Sequence, residues 1–132
     1  AKAASETGVC LIAVTVLTSL DAQEMTAIGI SSSPAEQALR LARLSQQAGL
    51  AGVVCSAHEI KTIKEACGKS FLTVAPGIRP AGSAAGDQKR IMTPAQAAKA
   101  GADFIVVGRP ILAAENPALA AQKIQEELGS IL

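Results

Sequence analysis

Two arginines, each beside a glycine-bearing turn at the end of a short apolar run, carry the clearest chemistry in this sequence. Phe71–Ala75 runs into Pro76-Gly77-Ile78-Arg79-Pro80, and Phe104–Val107 runs into Gly108-Arg109-Pro110. Apolar runs this short, followed by glycine and then a helical pattern, read as buried parallel strands. Glycine has no Cβ, so an anion can come close to the backbone. A helix opening after Gly108 would aim free N–H groups and the positive end of its dipole at that anion. Arginine adds charge and paired hydrogen bonds. Two such turns after successive strands are the pattern of a barrel phosphate site, where the loops after the last strands hold the phosphate.

Each residue also has a plainer reading. Arg109 could form a surface ion pair, and Arg79, between Ile78 and Pro80, could simply brace its turn. Gln88 sits in a loop, where an amide could bridge ligand groups or serve none. Thr18 and Ser19 could cap the short helix that follows them. His58, the one histidine, reads as a first-turn helix residue. Lys89 and Arg90 read as solvated loop charges, and Cys55 as a core thiol.

The elements that must position these residues follow from patterning. Val9–Val16 is a near-continuous apolar strand, and Asp21 can cap a short helix over Ala22–Ile28. Ser33 with Pro34 is a strong helix start, and Ala35–Ala48 carries its apolar residues on one face until Gly49. Gly52–Cys55 is the second strand. Ser56 with Glu59 three residues on reads as a capping box opening a helix to Cys67. Phe71–Ala75 is the third strand. Ala81–Asp87 is a long Gly- and Ala-rich loop, of the kind that carries function. Thr93 and Pro94 open a helix ending at Gly101. Asp103–Val107 is the fourth strand, and Asn116 and Pro117 start a helix over Ala118–Leu128. Four strands alternating with helices imply an α/β fold with a parallel sheet. Four such units are half of a (β/α)8 TIM barrel, with the functional-looking residues all at the strand C-terminal ends. A four-stranded open sheet is the structural alternative.

Composition narrows the function classes. The 132 residues are 49% hydrophobic but only 2% aromatic, so Ala, Val, Ile and Leu fill a layered interior. A net charge of +1 gives no global field to favour nucleic acid or an acidic membrane. The lack of Trp and Tyr weakens any base-stacking role. Cys10, Cys55 and Cys67 show no metal spacing and read as reduced thiols of a cytoplasmic protein. No apolar run approaches the roughly eighteen residues of a membrane span, and no signal-peptide pattern is present. The chain opens without Met on Ala-Lys-Ala-Ala-Ser-Glu-Thr-Gly, which reads as a helix remnant over Ala1–Glu6 behind a cut start.

At five places the sequence resembles the orotidine 5'-phosphate decarboxylase family, bacterial type, in its C-terminal half. They are Ala-Val-Thr-Val-Leu-Thr-Ser at 13–19, Gly-Val-Val-Cys-Ser-Ala at 52–57, Pro-Gly-Ile-Arg-Pro at 76–80, Gly-Asp-Gln-Lys-Arg-Ile-Met-Thr-Pro at 86–94, and Val-Gly-Arg-Pro at 107–110. The resemblance covers nearly the whole chain and implies the last four β/α units of a TIM barrel. It implies that Thr18 lies near the pyrimidine ring, that Arg79 and Gln88 belong to a loop closing over the nucleotide, and that Gly108 and Arg109 grip the 5'-phosphate. It further implies a cytoplasmic homodimer that converts orotidine 5'-monophosphate to uridine monophosphate (UMP) and carbon dioxide, with no metal or organic cofactor.

One departure stands beside these matches. The family's catalytic signature, Asp-x-Lys-x-x-Asp, does not occur here. Lys61 and Lys64 fall in a helix, with no aspartate flanking either at that spacing. No catalytic residue is therefore assigned to this chain, which is expected to bind substrate without turning it over. Its expected partner is the N-terminal half of the same barrel. The alternative is a non-catalytic phosphate-binding half-barrel that pairs with another half or with itself. A third reading, a ribulose-phosphate-type isomerase or synthase, is disfavoured by the Gly-Asp-Gln segment.

Overall fold

A computed structural model describes residues 4, 6–81 and 89–129 of the chain. Among the described residues, four parallel strands form one sheet in sequence order: β1 (Ile12–Val14), β2 (Gly52–Val54), β3 (Leu72–Ala75) and β4 (Phe104–Ile105). Each strand thus lies beside the next, as in a barrel wall. A doubly wound sheet would reverse its order at a switch point. The strands are shorter than the apolar runs that contain them, yet pairing continues past their ends. Ala51 N–H donates to Leu11 C=O and Thr15 N–H to Val54 C=O; Val106 N–H donates to Ala75 C=O.

The helices start where local chemistry dictates. These are α1 (Ala22–Ala27), α2 (Pro34–Gln47), α3 (Ile60–Cys67), α4 (Pro94–Ala100), α5 (Arg109–Leu112) and α6 (Pro117–Gly129). Asp21 with Glu24, Ser33 with Glu36, and Thr93 with Gln96 each close a capping box. Two of these are followed by proline in the first helical turn, where its missing N–H costs nothing. The expected box at Ser56 and Glu59 does not form. Helix α3 begins only at Ile60, and Glu59 makes no side-chain cap. Its carboxylate is instead drawn inward by Arg90. Ser56 Oγ accepts a long hydrogen bond from His58 N–H, so His58 lies in a turn before the helix rather than in its first turn. Most of the expected helix over Ala1–Glu6 and most of the loop Ala81–Asp87 lie outside the described residues.

The sheet has two unlike faces. Val53, Thr73 and Ala75 are buried under the helices, in a core with Ala42, Ile60, Ile63 and Phe71. On the other face Ile12, Val14, Phe104 and Val106 are exposed, with Val14 and Phe104 each 58% accessible. Register puts Val14 opposite Val54, Val54 opposite Val74 and Val74 opposite Phe104, so these residues form one continuous apolar strip.

Gly52 sets how closely β2 and β3 approach. A Cβ built there would fall 2.3 Å from Leu72 O and 2.5 Å from Leu72 Cβ. Those partners belong to β3 itself and cannot swing away. Gly52→Ala is therefore expected to cost about 1–3 kcal/mol through forced strand separation. A shift of the urea midpoint to lower concentration checks this; an unchanged midpoint would contradict it.

At the N-terminal end of the strands, Asp103 ties β3, β4 and α3 together. Its Oδ2 accepts from Thr73 N–H at 2.7 Å, Thr73 Oγ1–H at 3.0 Å and Lys64 Nζ at 2.6 Å. Burial alone would raise this carboxyl, but the Lys64 ammonium and the two Thr73 donors outweigh it and hold it below its ordinary value of 3.8. A depressed pKa contributes stability above the unfolded-state value and loses it as pH falls through the folded one. Asp103→Asn should therefore cost about 1–2 kcal/mol at neutral pH, with the difference shrinking as pH falls below about 4. Denaturation midpoints of both proteins at pH 7 and pH 3 test the sign; a gap that widens in acid would contradict it.

Candidate active site

The turns that leave β1, β3 and β4 meet at the C-terminal end of the sheet. β1 continues through Thr15, whose backbone N–H and side-chain hydroxyl both donate to Val54 C=O. That double contact directs the chain to Thr18, which is buried. β3 runs into Gly77, at φ +72°. This is left-handed backbone, which glycine adopts without steric cost. A Cβ at Gly77 would lie 2.9 Å from Thr18 Oγ1. The glycine therefore serves twice, making the turn and letting Thr18 pack against it.

Arg79 follows, 7% exposed. Its Nη1 donates to Ile78 C=O at 2.9 Å, so one of its donors braces the turn. Its backbone N–H donates to Met92 C=O at 2.9 Å, and Ile78 pairs with Met92 in an isolated parallel bridge. The strand-like residues before α4 are thus zipped to the β3 turn.

β4 runs into Gly108, whose carbonyl accepts from Ile111 and Leu112 N–H at 2.9 and 3.0 Å as α5 begins. Among the described residues, a Cβ at Gly108 would meet nothing within 4 Å. Packing therefore does not demand glycine there. Arg109 is the first residue of α5 and is exposed. Pro80 and Pro110, the residues after the two arginines, line one cleft with Lys123 and Ile124. Thr18, Arg79, Gly108 and Arg109 thus belong to the same end of the sheet, while Gln88 lies outside the described residues.

Residues 89–90 correct the sequence reading. Lys89 is solvated, as expected of a loop charge, and pairs with Asp21 at 2.8 Å and Glu24 at 3.0 Å. Arg90 is not solvated: its side chain is 15% exposed and forms an ion pair with Glu59, which is 3% exposed. Its Nη2 donates to Val16 C=O at 3.2 Å and to Leu17 C=O at 3.1 Å. Both Lys89 and Arg90 also donate backbone N–H groups to Thr18 C=O. Burial pushes the Glu59 carboxyl up, against the lowering pull of Arg90. The available signal for Glu59 was its place directly before Ile60, which opens the buried apolar face of α3. The apparent capping-box spacing obscured it.

Other reactive groups are quiet. Cys55 is a core thiol, pushed up to about 12 chiefly by burial, and is protonated at neutral pH. Among the described residues no group of three or more His, Cys, Asp or Glu side chains comes together as a metal site would require. No helix among them is long and apolar enough to cross a membrane.

Comparison with known proteins agrees with this geometry. The orotidine 5'-phosphate decarboxylase of Gluconobacter oxydans is 60% identical over 120 residues, covering 91% of this chain and 51% of that protein. The enzyme of the same name from Pectobacterium carotovorum is 57% identical over 118 residues, covering 89% of this chain and 48% of that protein. The chain spans about half the length of the curated relatives it matches. The crystal structure of orotidine 5'-phosphate decarboxylase from Lactobacillus acidophilus superposes with a TM-score of 0.71 at 40% identity, over 89% of this chain and 48% of that one. An uncharacterised conserved protein from Geobacillus kaustophilus gives 0.67 at 38% identity, over 89% and 47%. Four parallel strands in sequence order, turns gathered at their C-terminal ends and an apolar face left open fit half of such a barrel. With a family model matching residues 1–124, the chain belongs to the orotidine 5'-phosphate decarboxylase / HUMPS family.

Proposed function

We propose that residues 1–132 form the C-terminal, substrate-gripping half of an orotidine 5'-phosphate decarboxylase, which converts orotidine 5'-monophosphate to UMP and carbon dioxide in pyrimidine biosynthesis. The observation that carries this reading is the gathering of Thr18, Arg79 and Gly108–Arg109 at one end of a half-length parallel sheet. In this reading Gly108 and Arg109 hold the 5'-phosphate, Arg79 and Gln88 close on it from the next turn, and Thr18 faces the pyrimidine. A phosphate gripped far from the reacting carbon supplies binding energy that can be used to distort, orient and desolvate at the other end. This half contributes that energy and needs no metal or organic cofactor to do so.

The bond-breaking groups belong to the other half of the barrel. The Asp-x-Lys-x-x-Asp signature is absent from these 132 residues. The apolar strip of Val14, Val54, Val74 and Phe104 is the surface on which that half closes, since barrel interiors are filled by branched side chains from all eight strands. The assembled enzyme is a cytoplasmic homodimer. The missing signature also favours a second reading, a phosphate-binding half-barrel with no chemistry of its own. Turnover of orotidine 5'-monophosphate by this chain combined with a half carrying the signature separates the two.

A further inference from the structure

The Glu59–Arg90 pair sits where the turns after β1, β2 and β3 cross. Glu59 belongs to the turn after β2. Arg90 reaches from the segment zipped to the β3 turn, and its second nitrogen bonds the Val16 and Leu17 carbonyls of the β1 turn. Two residues of that segment also bond Thr18 C=O. One guanidinium thus holds the Thr18 turn and the Arg79 turn in a fixed relation.

As a stabiliser the pair is poorly made. Only Glu59 Oε1 and Arg90 Nη1 meet. Glu59 Oε2 and Arg90 Nε are buried without a hydrogen-bond partner among the described residues. Even with the two carbonyl bonds of Arg90 Nη2, desolvating two charges for one mutual contact often yields less than an apolar pair of similar volume would. The arrangement makes sense if it is kept for position rather than for stability. We propose that Glu59 and Arg90 are positioning residues, which set Thr18 and Arg79 relative to each other for a bound nucleoside monophosphate. This rests on the reading of the site given above.

The contrast is the Lys64–Asp103 pair at the opposite end of the strands, which ties β3 and β4 but touches no substrate-side turn. The experiment uses the complete barrel containing this chain, with UMP and uridine as probes in titration calorimetry and thermal melting alongside. The Glu59→Leu/Arg90→Met double variant should melt at or above the parent temperature, yet bind UMP about tenfold to a hundredfold more weakly, as misplacement of a binding group by about 1 Å does. Arg90→Lys keeps the charge but lacks the fork that spans Glu59 and the two carbonyls. It should melt like the parent and still bind UMP more weakly, so the proposal stays testable if the double variant does not fold. Asp103→Asn should do the reverse, lowering the melting temperature and leaving UMP affinity unchanged.

Parental affinity for UMP in folded Arg90→Lys, or in the folded double variant, would overturn the proposal. If the parent barrel itself binds UMP no better than uridine, the phosphate-grip reading fails and the positioning role falls with it.

Discussion

Arg109→Ala, placed in the complete barrel, is expected to weaken UMP binding by about 2–4 kcal/mol while leaving uridine binding nearly untouched. The asymmetry follows from location. Arg109 opens α5 directly after the β4 turn, and a ribose separates any phosphate held there from the pyrimidine. In the proposed grip, removing the guanidinium would leave the phosphate facing one cation fewer. A four-residue helix has only a small dipole. The side chain therefore bears most of the burden. Arg79→Ala should lose less, because part of that guanidinium is already committed to Ile78 C=O. Calorimetry with both ligands reads the effect. Equal losses for UMP and uridine would show that Arg109 shapes the protein rather than meeting the phosphate.

Much of this architecture was legible because it is written locally. Ser33-Pro34 and Thr93-Pro94 announce their helices within four residues, and both boxes form. The apolar runs identified each strand, though not its length. A strand ends where its neighbour stops pairing, which the run itself does not encode. Sequential strand order was open until the sheet was assembled, because β-α-β units alone also permit a doubly wound arrangement.

The site was legible by halves. The Gly-bearing, Arg-bearing turns stood out because glycine at a strand end is a local signal. The role of Gly77 as a seat for Thr18 was not legible, since the two positions are far apart in the chain. Arg90 was misread for the same reason. A lysine and an arginine side by side look alike in a loop, yet Lys89 finds Asp21 and Glu24 at the surface while Arg90 finds Glu59, 31 positions away, in the interior. Burial of a charge is decided by its distant partner. Glu59 was misread because a capping box and a buried ion pair use the same residue type, and only the fold chooses between them.

In the proposed enzyme this chain grips the substrate and leaves the bond-breaking to the other half. Thr18, Arg79, Gln88, Gly108 and Arg109 can bind, but none can protonate the pyrimidine carbon that loses carbon dioxide. A proton donor must lie within hydrogen-bond reach of that atom, at the end of the ligand away from the phosphate. The direct measurement follows the loss of orotate-type absorbance when the 132-residue chain, at verified mass, meets orotidine 5'-monophosphate. The chain alone is predicted to give no detectable turnover. Addition of a separately made N-terminal half bearing Asp-x-Lys-x-x-Asp is predicted to restore it. Turnover by the chain alone, or none from the two halves once they are shown to have assembled, would contradict the account.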